Sequence, residues 1–543
     1  METRSAKRKK LSINAPITNE EEEEEDRISD LPDDVIHHIF SYLPIKSVAQ
    51  TSLLSKRWSS IWRSFPDLDF TTVAALTTTT NPAAAAALTS ITTPAALISS
   101  LRRRVQHHVS KDAKYADQIS ALIEKRHSDI RAVKFRAFVT FSTLNRLIRN
   151  SVKRNVQELD VEVFTCDYFN FPRIVMNSAA LKTLRLKSWH PGFRLPPLQI
   201  MKEGLKSLSV LSLSRPILHD SPSLIDLFTN SSFPSLKKLH LEACFGMTHL
   251  KIECPALEDL CLEHNFQLHD LEISSPKLEK LRVFSCFDAS SNSNISRVKI
   301  EAPLLKNIVW SYNAVTQECV LNKLTSLHEA VVGFFVPNED LNAAKFRSVS
   351  NFLTGISCCK SLTLESQCIE VLYFLVLIAS VFFTIMSKND RVSMCSFGKL
   401  KCLELSTGFE KHNNSALAGV FRSAPTVNTV TIKILGDDKA ERRQWNKDLW
   451  QSPSSGEERY WESQTQYLNS FLRHLKEVRI FGFTECANDV SLVKFLLKHG
   501  KVLQQVFIFT SLSKPRDSLL REKIKSQIMG FSRASSNANI VFK

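Results

Sequence analysis

Leu257–Val283 reads "LEDLCLEHNFQLHDLEISSPKLEKLRV". One pattern, L-x-x-L-x-L with apolar variants, opens and closes it as "LEDLCL" (257–262) and "LEKLRV" (278–283). In each copy the last two apolar positions are separated by a single polar residue. That alternation turns one side of an extended strand inward and the other toward solvent. The first leucine brings the chain into the same core. Between the copies falls a second beat, "LHDLEI" (268–273), and "MTHLKI" (247–252) precedes it by one period. The spacing predicts a second strand-like segment in these periods, on the far side of the core, in place of a helix.

The main pattern recurs as "VQELDV" (156–161), "LKTLRL" (181–186), "LSVLSL" (208–213), "LKKLHL" (236–241) and "LKNIVW" (305–310). Later copies are "LKCLEL" (400–405), "VNTVTI" (427–432), "LKEVRI" (475–480) and "LQQVFI" (503–508). From the copy at 156 to the one at 305, successive starts lie 25, 27, 28, 21, 21 and 27 residues apart. This is the length of a leucine-rich repeat. One unit cannot bury its own apolar face, whereas stacked units share a continuous core in a curved solenoid. Pro255, Pro276 and Pro303 each stand two residues before a repeat's first leucine, where a missing N–H costs no ladder hydrogen bond.

Nearer the start, "SDLPDDVIHHIFSYLP" (Ser29–Pro44) is a short amphipathic helix fenced by prolines. Asp30 is a plausible N-cap, with Pro32, Asp33 and Asp34 suited to the first turn. Val35, Ile36, Ile39, Phe40 and Leu43 recur at helical spacing. A second helix is expected from Ile45 to Leu53, and a third from Ser55 to about Phe65 carrying Trp58, Ile61 and Trp62. Three short helices bury too little surface to be robust alone. The first also carries apolar groups beyond one narrow stripe, which points to a partner molecule.

Ile28–Phe70 resembles an F-box. The resemblance rests on Leu31-Pro32, the apolar first helix, Leu43-Pro44, "SLLSKRW" (Ser52–Trp58) and Trp62. An F-box implies docking on the Skp-type adaptor of a cullin–RING ubiquitin ligase, and through it on a cullin scaffold. Carried over by position, that role falls on Leu31, Pro32, Ile36, Ile39, Leu43, Pro44, Val48, Leu53 and Trp58. The sequence does not say which of these face the adaptor and which the chain's own core. For Trp62 and Phe65 core is the preferred reading.

At the other end, the sequence from Tyr467 reads as strand, loop, amphipathic helix (Val490–His499) and strand. It is similar to the FBD region that closes many plant F-box/leucine-rich-repeat proteins. "RNVQELDV" (Arg154–Val161) also resembles that family's first repeat. The fold expected is α+β: a three-helix F-box, then a leucine-rich-repeat solenoid with a curved, mostly parallel sheet and an FBD-like cap. The expected boundaries are a charged disordered tail (1–26), the F-box (27–70), a Thr/Ala-rich low-complexity insertion (71–100), the solenoid (101–460) and the FBD-like region (461–543). A helical stretch holding "LISSLRRRV" is expected after residue 94.

Composition excludes more than it selects. Among 543 residues only 13 are glycine, which argues against glycine-rich nucleotide loops. The net charge of +15 is spread without a dense basic stripe, so a solvated surface is preferred to a nucleic-acid partner. The 12 cysteines form no C-x-x-C pair and read as buried free thiols in a reducing compartment. The start of the chain shows no secretory signal, and "KRKK" (Lys7–Lys10) is a weak nuclear address. Nucleus and/or cytoplasm is the expected location. No phosphate-loop, dinucleotide, zinc-protease or hydrolase motif occurs, nor any zinc spacing, and His107-His108 lacks further ligands nearby. No catalytic residue, metal or cofactor is expected.

The resemblance therefore implies a non-catalytic substrate receptor of an SCF-type ligase, holding a protein target for ubiquitination and proteasomal degradation. The target and its contact residues are not legible. Two alternatives are a non-degradative F-box scaffold and a basic nucleic-acid-binding solenoid. "VLYFLVLIASVFFTIM" (Val371–Met386) departs from the repeat. Its 16 residues fall just short of a membrane span, which argues against a membrane partner. It also coincides with a wide interval of 41 residues between "LTL" at 362 and "LEL" at 403. An inserted segment, a gene-model artefact of retained non-coding sequence, a buried core helix and a membrane segment all stay open.

Overall fold

The computed structural model describes residues 28, 30–71, 115–165, 168–189, 192–218, 223–288, 296–322, 324–335, 342–365, 368–369, 396–407, 413–435, 456–483, 487–510 and 518–543. The tail at 1–26, the Thr/Ala-rich insertion, the "LISSLRRRV" stretch, His107-His108 and the apolar run 371–386 lie outside these residues. No helix among the described residues is long and apolar enough to cross a membrane. The chain divides into two compact units, Met1–Phe65 and Pro66–Lys543.

The first unit holds helices α1 (Asp33–Phe40), α2 (Ile45–Thr51) and α3 (Lys56–Ser64). Prolines set the first two starts: Pro32 (φ −59°, ψ 147°) and Pro44 (φ −59°, ψ 136°) keep extended backbone at the N-cap. The expected cap Asp30 therefore lies in a turn ahead of the helix. Asp33 and Asp34 fill the first turn of α1, where carboxylates meet the positive end of the helix dipole. Ser55 caps α3 by accepting from the Trp58 N–H at 3.3 Å. Ile36 and Phe40, four apart on α1, turn inward and are buried with Ile45, Val48, Ile61 and Phe65. The Phe40 ring meets Phe65 edge-on at 5.5 Å and Trp58 at 6.0 Å.

The second unit is built on one sheet of 16 strands, running from Asp67–Asp69 to Asn539–Phe542, with every neighbouring pair parallel. All eleven repeat motifs supply a strand to it. The register stacks equivalent residues, as in Leu239, Leu260, Leu281 and Ile308. The first apolar residue of each motif, from Val156 through Leu257 to Leu503, is fully buried. The prolines occupy tight turns: the Leu257 N–H donates to the Cys254 carbonyl at 3.3 Å and the Leu305 N–H to Ala302 at 3.1 Å. Pro255 and Pro303 thus hold the second turn position, which suits their fixed φ. Asp67–Asp69, expected in the helical unit, is instead the first ladder strand, pairing with Ala132–Phe138.

Behind the ladder the connections differ along its length. A five-stranded parallel sheet spans Ser223–Thr229, His249–Glu253, Asp270–Ser274, Arg297–Glu301 and Glu318–Asn322. "MTHLKI" and "LHDLEI" are two of its strands, as the second beat predicts. Elsewhere helices such as Phe141–Lys153, Ala343–Gly355 and Ala487–His499 take that side. In the shortest repeats, an interval such as Glu242 to Asp259 leaves room for little more than a short strand and two turns, whereas Ser223–Thr229 and Arg297–Glu301 are strands within longer repeats. The C-terminal region continues the ladder through Glu477–Phe483, Gln505–Thr510 and Asn539–Phe542, with Ala487–His499 between the first two.

A left-handed residue follows four central strands at Arg215, Ala243, His264 and Ser285, and Tyr312 holds the equivalent place within Asn307–Ala314; all have φ between 50° and 63°. The next position in four of these repeats is Cys244, Asn265, Cys286 or Asn313, all buried. Asn265 Oδ1 accepts from the Cys244 N–H at 2.8 Å, and its Nδ2 donates to the Leu241 carbonyl at 3.0 Å. Asn313 repeats this with the Cys286 N–H at 2.8 Å and the Val283 carbonyl at 2.9 Å. These amides satisfy backbone groups that the departing chain would leave unpaired. The pattern's extension to L-x-x-L-x-L-x-x-N/C marks them in the sequence. Every described cysteine is a free thiol, and burial pushes Cys286 up to about 12.

Candidate protein-binding surfaces

The helical unit leaves a set of apolar side chains in solvent. On α1, Val35 and Ile39 are four apart and one position off the buried pair Ile36 and Phe40, so they sit about 100° around the helix from it. Tyr42 and Leu43 follow at its end, and Leu53 and Leu54 lie exposed after α2. Arg57 ties the opening of the unit to α3: its Nη2 donates to the Leu31 carbonyl and pairs with Asp33 at 3.1 Å. His37 Nε2 lies 3.1 Å from the Ile61 carbonyl and 3.2 Å from Ser64 Oγ, fixing α1 against α3.

The nine residues singled out from the sequence separate by environment. Pro32, Ile39, Leu43, Pro44 and Leu53 are exposed, Leu31 and Trp58 are half-buried, and Ile36 and Val48 lie in the chain's own core. Phe65 is buried and Trp62 is half-buried. Sequence reasoning passed over Val35, Tyr42 and Leu54, although Val35 shares the apolar pattern of α1.

The ladder's outward face is the second surface. Its rows are polar at the centre, with Arg185, Ser212, His240, Cys261 and Arg282 in register across five strands. Ion pairs cross the strands: Arg185 reaches Glu158 at 2.8 Å and Asp160 at 3.7 Å, and Lys433 reaches Glu404 at 2.6 Å. Burial raises the Asp160 carboxyl pKa against the opposing pull of Arg185 and Lys134. Aromatic side chains stack near both ends of the face. Phe164 lies between Phe138 (4.5 Å) and Trp189 (5.4 Å), with Lys187 4.7 Å from the Trp189 ring. Phe481 and Phe509 stack at 4.3 Å. Such a face offers rigid aromatic contact area flanked by charge, the kind of surface that holds a protein.

Three short helices with an exposed apolar set, followed along the chain by a parallel repeat ladder, are the architecture of an F-box protein with a leucine-rich-repeat solenoid. The F-box domain model matches residues 28–69. A leucine-rich-repeat model, the At1g61320/AtMIF1 LRR domain, matches residues 121–330. The putative F-box/FBD/LRR-repeat protein At4g03220 of Arabidopsis thaliana is 43% identical over 549 residues, covering 100% of both chains. The F-box/FBD/LRR-repeat protein At1g78750 of the same plant is 27% identical over 365 residues, 64% of this chain and 68% of its own. This chain belongs to the F-box/FBD/LRR-repeat family.

Proposed function

We propose that the chain is the substrate-recognition subunit of an SCF-type ubiquitin ligase. The observation that carries this reading is the exposed apolar set on α1 and after α2, within a unit matched by the F-box model. Exposed apolar residues gathered on so small a unit suit burial against another protein. In this reading Pro32, Ile39, Leu43, Pro44 and Leu53 meet the Skp-type adaptor, with Leu31 and Trp58 at the margin. Ile36 and Val48 act from behind by holding the helices in place. The outward face of the ladder takes the target. The chain's contribution is positional: it raises the effective concentration of target lysines at a conjugating enzyme on the same cullin scaffold. The isopeptide chemistry belongs to that enzyme.

Co-purification with a Skp-type adaptor tests the docking half. Leu31→Ala with Pro32→Ala, or Ile39→Asp with Leu53→Asp, should abolish it while the ladder stays folded by circular dichroism. Undiminished co-purification would refute the assignment. Proximity labelling with and without proteasome inhibition tests the other half. A target that accumulates on inhibition supports degradation, and labelled partners whose levels never change would favour a non-degradative scaffold.

A further inference from the structure

We propose that His240, Cys261 and Glu263 form a zinc-class metal site on the outward face of the ladder. Residues 240 and 261 are register partners on adjacent strands, and Glu263 lies two positions beyond Cys261, hence on the same face. The three donor atoms all lie within 4.8 Å of one another. His240 Nε2 is 3.5 Å from Glu263 Oε2, and Cys261 Sγ is 3.3 Å from Glu263 Oε1. Zinc–ligand bonds of roughly 2.0–2.3 Å fit an ion among donors so spaced.

The histidine's surroundings point the same way. Its Nδ1 lies 3.1 Å from Ser212 Oγ, a residue held in register on the preceding strand. With Nδ1–H donating to Ser212, the Nε2 lone pair faces the cluster. That Nε2 is shielded from solvent and makes no hydrogen bond. Metal-bound histidines are oriented in just this manner, by a hydrogen bond from the other ring nitrogen. A nitrogen, a thiol and a carboxylate together suit zinc better than magnesium or calcium.

Charge at the site is mixed. Arg282 approaches Glu263 Oε1 at 3.7 Å and competes with an ion there. Glu242, the register partner of Glu263, adds a second carboxylate on the neighbouring strand. Burial, reinforced by Glu263, holds the Cys261 thiol proton well above its usual range. Binding therefore forms a metal–sulfur bond as the thiol proton leaves to solvent. Three protein ligands leave a fourth position open toward the face assigned above to the target. A donor atom of the target could complete the shell, an extension that rests on that assignment.

Titration of the purified full-length chain with Co²⁺, without adaptor or target, tests the site, so failure here leaves the ligase reading untouched. The expected result is one tetrahedral Co²⁺ per chain with a thiolate-to-cobalt charge-transfer band, both displaced by Zn²⁺. Cys261→Ser should remove the charge-transfer band, whereas Cys402→Ser should keep it. Ser212→Ala should weaken binding by about 10–100-fold, the usual effect of removing an orienting partner. Zn²⁺ should raise the melting temperature of the parent chain and not that of Cys261→Ser. Absence of the bands, or their full persistence in Cys261→Ser, would overturn the proposal.

Discussion

Leu53 and Leu54, after α2, are 87% and 69% exposed, whereas Leu257 and Leu260 in the ladder are wholly buried. The two regions use one residue type in opposite ways. In the ladder each strand finds its partner in the next repeat, so apolar surface closes against apolar surface within the chain. The helical unit has no such neighbour in its own sequence pattern. Among its described residues, Ile36, Phe40, Ile45, Val48, Ile61 and Phe65 form a small buried core and leave a second apolar set exposed. The ladder closes its apolar surface within the chain, whereas the helical unit leaves apolar side chains exposed, and the proposed docking rests on that difference.

Core substitutions in the ladder should break the comparison hardest. Trp310 is fully buried between Phe287 at 5.6 Å and Phe352 at 5.4 Å. Trp310→Ala is expected to cost about 3–5 kcal/mol, seen as lost hydrogen-exchange protection in the strands beside it. Asn265→Ala comes next. It orphans the Cys244 N–H, at about 1–3 kcal/mol, and removes the side-chain bond to the Leu241 carbonyl, and a lowered urea midpoint would register it.

In the helical unit the stability effects shrink and the binding effects grow. Arg57→Ala removes an exposed pair to Asp33, worth about 0.2–1 kcal/mol, and frees the Leu31 carbonyl. Its melting temperature should fall only slightly, while adaptor affinity measured by calorimetry drops because the Leu31-Pro32 opening loosens. Leu53→Ser should change stability by no more than about 0.5 kcal/mol. The same substitution should cost the adaptor complex at least about tenfold in affinity, as a desolvated anchor does. A Leu53→Ser chain that binds undiminished would erase the contrast between the regions.

Much of the ladder was legible because L-x-x-L-x-L couples a turn-side leucine to an alternating strand. Ala132–Phe138 was not, since "AVKFRAF" alternates but carries no leucine. Asp67–Asp69 offers a single leucine in three residues, and only pairing with its neighbour makes it a strand. In the helical unit the sequence named Ile36 and Ile39 together. Both obey helical spacing, and only the positions of α2 and α3 decide that Ile36 is buried and Ile39 exposed. The His240, Cys261 and Glu263 cluster was invisible to any linear motif. Its members come from two repeats and meet only through strand register.

Ser361–Leu364 and Cys402–Thr407 are direct neighbours in the ladder, with Leu362 opposite Leu403 and Leu364 opposite Leu405. The register across that pair is therefore indifferent to how much chain joins them. Closing a longer flexible connection is cheap, since each doubling of its length adds only about 0.6 kcal/mol. A ladder held by lateral pairing can accept new sequence between rungs without renegotiating the rungs. The strands act as the grammar of the scaffold and the connections as its vocabulary, able to lengthen while the rungs stay in register.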